Sequence, residues 1–349
     1  MAEWRSFNRS SPWKWVLAAV SVGLLVSSSQ GRAQEQDFFA GKTITISIGS
    51  DVGGAFDLYA RTLSQFLGRH IPGRPNFTHE NRLGAGGRVA ANWLYNVAPR
   101  DGTVIGQVGP WIAMEPMWKI GGVQFDATKF QWLGSANREV SSCAFWTRTA
   151  FGNFDSIKAR DVIVGAPGTG TAMSTDVLAL NALVGTKMKL VQGYKGSREV
   201  IMAGETGELE GACGLWASAI KTVFADFVKS GALKVVVQMG LKSHPAFGDA
   251  PNAVDAMTNP DDRLAMELVF GQLEMARPFL LPPGVPEARV AMLRKAFADT
   301  FSDPEFLAAA EARKLEVRPL GGVEIQALVH RLYAMPPHVI GRVKSILGY

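Results

Sequence analysis

Cysteine is almost missing from this sequence: Cys143 and Cys213 are the only two in 349 residues. That excludes a small disulfide-stapled scaffold and any zinc site of the paired-cysteine kind. The five histidines (His70, His79, His244, His330 and His338) never stand at metal-ligand spacing from another His, Cys or Asp, so no metal site is expected. Neither cysteine has a histidine near it in sequence, and no Gly-x-Ser-x-Gly elbow occurs. The glycine-rich stretch "GAPGTGT" (Gly165–Thr171) lacks the Gly-Lys-Ser/Thr end of a P-loop, and "GAGGRVA" (Gly84–Ala90) lacks the spacing of a dinucleotide fingerprint, so no nucleotide cofactor is expected. Beyond the first residues no run is long and apolar enough to cross a membrane.

The amino terminus has the pattern of a secretory signal. Arg5, Arg9 and Lys14 precede "WVLAAVSVGLLV" (Trp15–Val26), and Gly31 and Ala33 place small residues at −3 and −1 before Gln34. Residues 1–33 are expected to be cut off, leaving a periplasmic chain of about 316 residues with no lipid anchor. Cleavage removes four basic residues (Arg5, Arg9, Lys14, Arg32) and one acidic (Glu3), so the formal charge drops from +5 to +2. A near-neutral mature chain offers no electrostatic case for nucleic acid. Its length exceeds one comfortable core and predicts two domains. In an oxidising compartment the two cysteines fit a disulfide, and they fit two buried free thiols equally well.

What is present is an alternation of strands and helices. "TITISIG" (Thr43–Gly49) alternates β-branched and polar residues, as a strand does, and Tyr59, Leu63, Phe66 and Leu67 then mark a helical stripe. Between them lie Gly53 and Gly54, at a strand-to-helix turn where backbone N–H groups and the helix dipole favour an anion. The pattern recurs about 115 residues later: a strand (Val162–Gly165), a turn with Gly168, Thr169, Gly170 and Thr171, and a helix carrying Val177, Leu180 and Leu183. Further strands are expected at Thr103–Gly109 and in "SSCAFWTR", "KMKLV", "ELEGAC" and "LKVVVQMG". Helices are expected near Arg198–Ala203, through Ile220, Val223, Phe224 and Phe227, and over most of the chain from Glu287. This βαβ order predicts an α/β fold with parallel sheets covered by helices. Ligands of such sheets bind beyond the carboxyl ends of the strands, so two facing domains would bring both glycine turns to one cleft.

Several polar and aromatic residues fall near that cleft, each with two readings. Asp57, in the first helical turn, complements the dipole or accepts a ligand donor. Thr169, Thr171 and Ser218 cap helices or bind ligand, and Trp111, Trp146 and Trp216 pack or form a ligand platform. Lys195 snorkels or neutralises a carboxylate.

Taken in order, the motifs resemble the exported substrate-binding receptors of tripartite tricarboxylate transporters, the Bug proteins. Their Gly-Gly-x-x-Asp-x-x-Ala-Arg is matched by Gly53, Gly54, Asp57, Ala60 and Arg61. "ENRLGAGG" (Glu80–Gly87) follows, with Leu83 for the usual proline, then a loosened Pro99-Arg100-Asp101-Gly102. "GAPGTGT", "GYKGS", "KSGALKVV", "LPPGVP" and "SDPEF" each resemble later family segments. The resemblance implies a two-lobed periplasmic-binding-protein type II clamp, each lobe a mostly parallel sheet flanked by helices. Residues 34–138 with 240–349 would form one lobe and 139–239 the other. It implies a monomeric receptor that closes on a small organic acid and presents it to membrane permease subunits. The implied ligand-binding residues are Gly53, Gly54, Ala55, Asp57, Pro110, Trp111, Gly168, Thr169, Gly170, Thr171, Trp216 and Ser218. Asp51 departs from the family's apolar lead-in, and a carboxylate there sits poorly beside a citrate-type ligand. An exported enzyme acting on a carboxylate and a receptor feeding a sensor kinase are the rival readings.

Overall fold

The computed structural model describes Met1 and residues 38–349; apart from Met1, the expected signal segment and the cleavage point at Gln34 lie outside the described residues. Two sheets form. The first contains β1 (Thr43–Ile48), β2 (Asn76–Asn81), β3 (Val104–Gln107), β4 (Gln131–Ser135), β10 (Pro278–Leu281) and β11 (Leu320–Gly321), in the order β11-β4-β10-β3-β1-β2. The second contains β5 (Ser141–Trp146), β6 (Val162–Ala166), β7 (Met188–Gln192), β8 (Gly211–Ala212) and β9 (Leu233–Met239), in the order β7-β6-β8-β5-β9. Ile44, Ile46 and Ile48 of β1 are fully buried, the expected result of its alternation.

Both sheets are mixed, where mostly parallel ones are expected from the βαβ order. β1 pairs parallel with β2 and β3, and β6 with β7 and β8. β10 runs antiparallel to β3 and β4, and β5 antiparallel to β8 and β9. The reason lies in the connections. A parallel neighbour needs a crossover returning over the same sheet, whereas β5 and β10 each arrive from the other sheet and are free of that constraint.

Helix α1 (Ala55–Leu67) follows β1, α2 (Arg88–Asn96) precedes β3, and α3 (Ala172–Val184) follows β6. The helix expected through Ile220 to Phe227 is broken into Ala217–Lys221 and Ala225–Lys229, with Thr222 between them at φ −122° and ψ −73°. Helices α4 (Pro260–Phe270) and α5 (Pro337–Leu347) pack against each other and against α3, so carboxy-terminal chain buttresses the second sheet. Cys143 of β5 and Cys213, just beyond β8, are joined by a disulfide. Of the two readings open for these residues, the bridge is the one formed.

Candidate functional site

The loops leaving β2, β3, β6 and β8 converge where the two sheets face each other, around a cavity of about 630 Å³. Six of the residues singled out from sequence line it: Pro110, Trp111, Thr169, Gly170, Thr171 and Trp216. Trp111 enters on a short 3₁₀ turn, Pro110–Ala113, that opens directly after the loop leaving β3. Its indole N–H donates to the Gly86 carbonyl at 2.8 Å, and Phe56 meets its ring edge-on at 5.7 Å. From the opposite sheet, Trp216 stands at the entrance of the helix Ala217–Lys221. It is placed by the bond from Ala217 N–H to the Val140 carbonyl (3.1 Å) and by the buried Arg277 guanidinium, 5.2 Å from its ring.

Arg277 lies at the crossing between the sheets, just before β10. Its guanidinium sits among the Phe56, Tyr59 and Trp216 rings and 3.8 Å from Glu139. Burial lowers the Arg277 pKa and raises that of Glu139, each opposed by the charge of the other. Ser218, expected in the site, donates its backbone N–H to Glu139 at 3.2 Å. It lines a separate cavity of about 560 Å³ with Lys221 and Glu316.

The first glycine turn is arranged differently from a simple anion cradle. Gly53 N–H donates to Asp57 at 2.9 Å and Gly54 N–H to the Asp51 carbonyl at 3.2 Å. Asp57 is buried and also accepts from Arg61 (2.8 Å) and Asn81 (3.0 Å). Burial alone would raise its pKa, but the bonds from Arg61, Gly53 and Asn81 outweigh it and hold the carboxyl below its ordinary value. Gly53, Gly54, Ala55 and Asp57 line neither the large cavity nor the hollow described next. In the second turn, Thr171 caps α3, accepting from Ser174 N–H at 3.4 Å and donating its hydroxyl to the Gly168 carbonyl at 2.8 Å. Thr169 and Gly170, the latter at φ +80°, face the cavity.

Two residues that sequence reasoning passed over complete the site. A hollow of about 230 Å³ adjoins the cavity and shares Gly86 and Trp111 with it. Gln107, the last residue of β3, lines it. Its side chain is fully buried, and neither Nε2 nor Oε1 has a partner among the described residues. Phe56 in the first turn of α1 and Gly87 at the entrance of α2 line the same hollow, so two helix amino termini border it. Asp176, on the second turn of α3, lines the large cavity while only 3% exposed. It accepts from the Ser141 hydroxyl and from Gly214 N–H. Burial pushes its pKa up to about 7 against those two bonds. Both residues carry a signal legible in principle: a polar group inside an otherwise apolar strand or helix face.

Elsewhere around the cavity Arg88 and Glu115 form a two-pronged ion pair, Nε–Oε2 2.6 Å and Nη2–Oε1 3.0 Å. Among the described residues no group of three His, Cys, Asp or Glu side chains could hold a metal ion. No helix of the described residues is long and apolar enough to cross a membrane.

No family model and no curated protein matches the sequence. Solved structures do match. A TctC solute binding protein from Polaromonas, without ligand, superposes with TM-score 0.70 at 15% identity, over 88% of this chain and 98% of that one. The periplasmic binding protein BugD gives 0.60 at 18%, over 88% and 98%. MatC from Rhodopseudomonas palustris, with bound malate, gives 0.57 at 18%, over 88% and 100%. At these identities the likeness is one of fold, and it extends over nearly all the described chain: the molecule has the two-lobed fold of the TctC and Bug-type periplasmic binding proteins.

Proposed function

We propose that this chain is an exported solute-binding receptor of the tripartite tricarboxylate transporter family. It captures an organic acid in the inter-lobe cleft and delivers it to membrane permease subunits. The observation that carries this reading is the Gln107 hollow. An unpartnered amide buried between two helix amino termini is unfavourable by about 1–3 kcal/mol until something bonds to it, and a carboxylate accepts from Nε2 while favouring the dipoles. Asp51, on the same hollow, is exposed, so solvent screens its charge. The acid's remaining atoms extend past Trp111 into the larger cavity, between Trp111 and Trp216. Pro110, Thr169, Gly170 and Thr171 contact the ligand there, while Gly53, Gly54, Ala55 and Asp57 hold the turn that leads into α1. The malate held by MatC and the eight family-like motifs support the carboxylate class.

The receptor acts in the periplasm after loss of residues 1–33 and works as a monomer. Residues 34–138 and most of 277–349 build one lobe and 139–239 the other, against which α4 and α5 also pack, with the hinge where the chain crosses near Glu139 and Arg277. It does no chemistry on its ligand. Thermal-shift screening of organic acids, sugars and amines tests the reading. Ligand at 100 times its dissociation constant stabilises the native state by about 2.7 kcal/mol, which at this size raises the melting temperature by a few degrees. At least one organic acid should do so and be recovered unchanged after long incubation. Shifts from sugars or amines alone would remove the carboxylate reading, and a product would favour the enzyme.

A further inference from the structure

The charged side chains lining the large cavity are Arg88, Glu115 and Asp176. On the first lobe's side Arg88 and Glu115 neutralise each other through two hydrogen bonds. Asp176 faces the cavity from the second lobe, held by the Ser141 hydroxyl of β5 and Gly214 N–H beyond β8. Gln272 and Thr175 line the same space without charge, and Tyr349 is a further titratable group there. On the helices packed against α3, Arg263 pairs with Glu267, Arg342 with Asp262 and His338 with Asp261, and Lys344 near the end of α5 does not line the cavity. Much of the remaining wall is aromatic: Trp111, Trp118, Trp216, Phe270 and Tyr349, with the Trp118 and Tyr349 rings stacked 6.0 Å apart.

We propose that Asp176 is the charge-selecting residue of the cleft, so that this receptor takes acids carrying one carboxylate on an apolar body and discriminates against those carrying two or three. The inference rests on the carboxylate-receptor reading above and names the ligand class within it. A carboxylate bonded to Gln107 leaves the other end of the ligand in the large cavity, against Asp176 and the aromatic wall. A second carboxylate there meets an acid, in surroundings that screen charge poorly, and finds no uncommitted cation among the lining residues. An apolar end meets indole and phenyl rings. Below about pH 7 Asp176 carries its proton and the repulsion is relieved; above it the carboxylate form prevails.

Matched probe pairs test this: hexanoate against adipate and benzoate against terephthalate. Binding is measured by tryptophan fluorescence and calorimetry on full-length mature protein at pH 6 and pH 8.5. In the wild type the monoacid of at least one pair should bind tenfold or more tightly than its diacid at pH 8.5, with a smaller gap at pH 6. Asp176→Asn, which keeps the shape and both hydrogen-bond partners, should shrink the gap at least fivefold by strengthening the diacid, and should abolish its pH dependence. Diacids binding as tightly as monoacids to the wild type at pH 8.5, or an unchanged gap in Asp176→Asn, overturn the proposal while leaving the receptor reading intact. Failure of every acid, malate included, overturns the receptor reading itself. If Asp176→Asn does not melt cooperatively, the wild-type ratio and its change with pH still decide.

Discussion

Removing the Cys143–Cys213 bridge is the perturbation whose magnitude follows most directly from the structure. The cysteines are 70 residues apart, and the bridge joins strand β5 to the end of β8 in one sheet. Closing a loop of that length removes denatured-state entropy worth about 4.4 kcal/mol at 25 °C in the chain-entropy treatment. Unfolding entropy near 2.1 cal/mol/K per residue over about 316 residues turns this into a fall in melting temperature of roughly 7 °C. If the second lobe melts on its own the fall is larger, because fewer residues share the transition. Differential scanning calorimetry of the wild type and of Cys143→Ala/Cys213→Ala measures it, with intact mass before and after alkylation confirming the bridge. Two alkylatable thiols in native protein purified without reductant, or a double variant melting within about 1 °C of wild type, would refute the reasoning.

Gly109→Ala places a methyl 2.2 Å from the Trp111 ring, so the indole must shift from its place in the cleft wall; ligand affinity should drop at least tenfold by titration calorimetry, with cooperative melting retained. Burial raises the Glu316 pKa, but hydrogen bonds from His244 and Lys221 win and bring it down to about 2. The stability this carboxylate contributes is therefore present above pH 4.5 and lost as pH falls through about 2. The acid limb of the stability profile, from denaturant melts, should flatten in Glu316→Gln. Protein recovered from the periplasm should begin at Gln34 by intact mass, and a full-length mass would contradict the export signal.

The elements that could be read from sequence are those whose burial pattern is local. β1 alternates around Ile44, Ile46 and Ile48, and α1 keeps its stripe through Tyr59, Leu63 and Leu67, so both stand where expected. β4 and β10, "QWLGS" and "PFLL", are too short and too uniformly buried to show a period. Their antiparallel placement depends on where the chain crosses between lobes, a long-range fact with no local mark. The two glycine turns were legible as strand-to-helix junctions, but not how Asp57 turns inward to satisfy Gly53. Which side chain ends up at the bottom of the cleft is decided by register: Gln107 reads as one polar residue in "TVIGQVG" until β3 is set beside β1 with Gln107 opposite Ile48. Asp176 hides in the same way within the apolar run of α3.

A crystal structure of mature protein with a bound acid from the screen tests the central claim most directly. The carboxylate should lie within hydrogen-bond distance of Gln107 Nε2, at the hollow bordered by Phe56 and Gly87, with the ligand body between Trp111 and Trp216. A carboxylate bound instead in the cavity beside Lys221 and Ser218, with the Gln107 amide still unbonded, would contradict it.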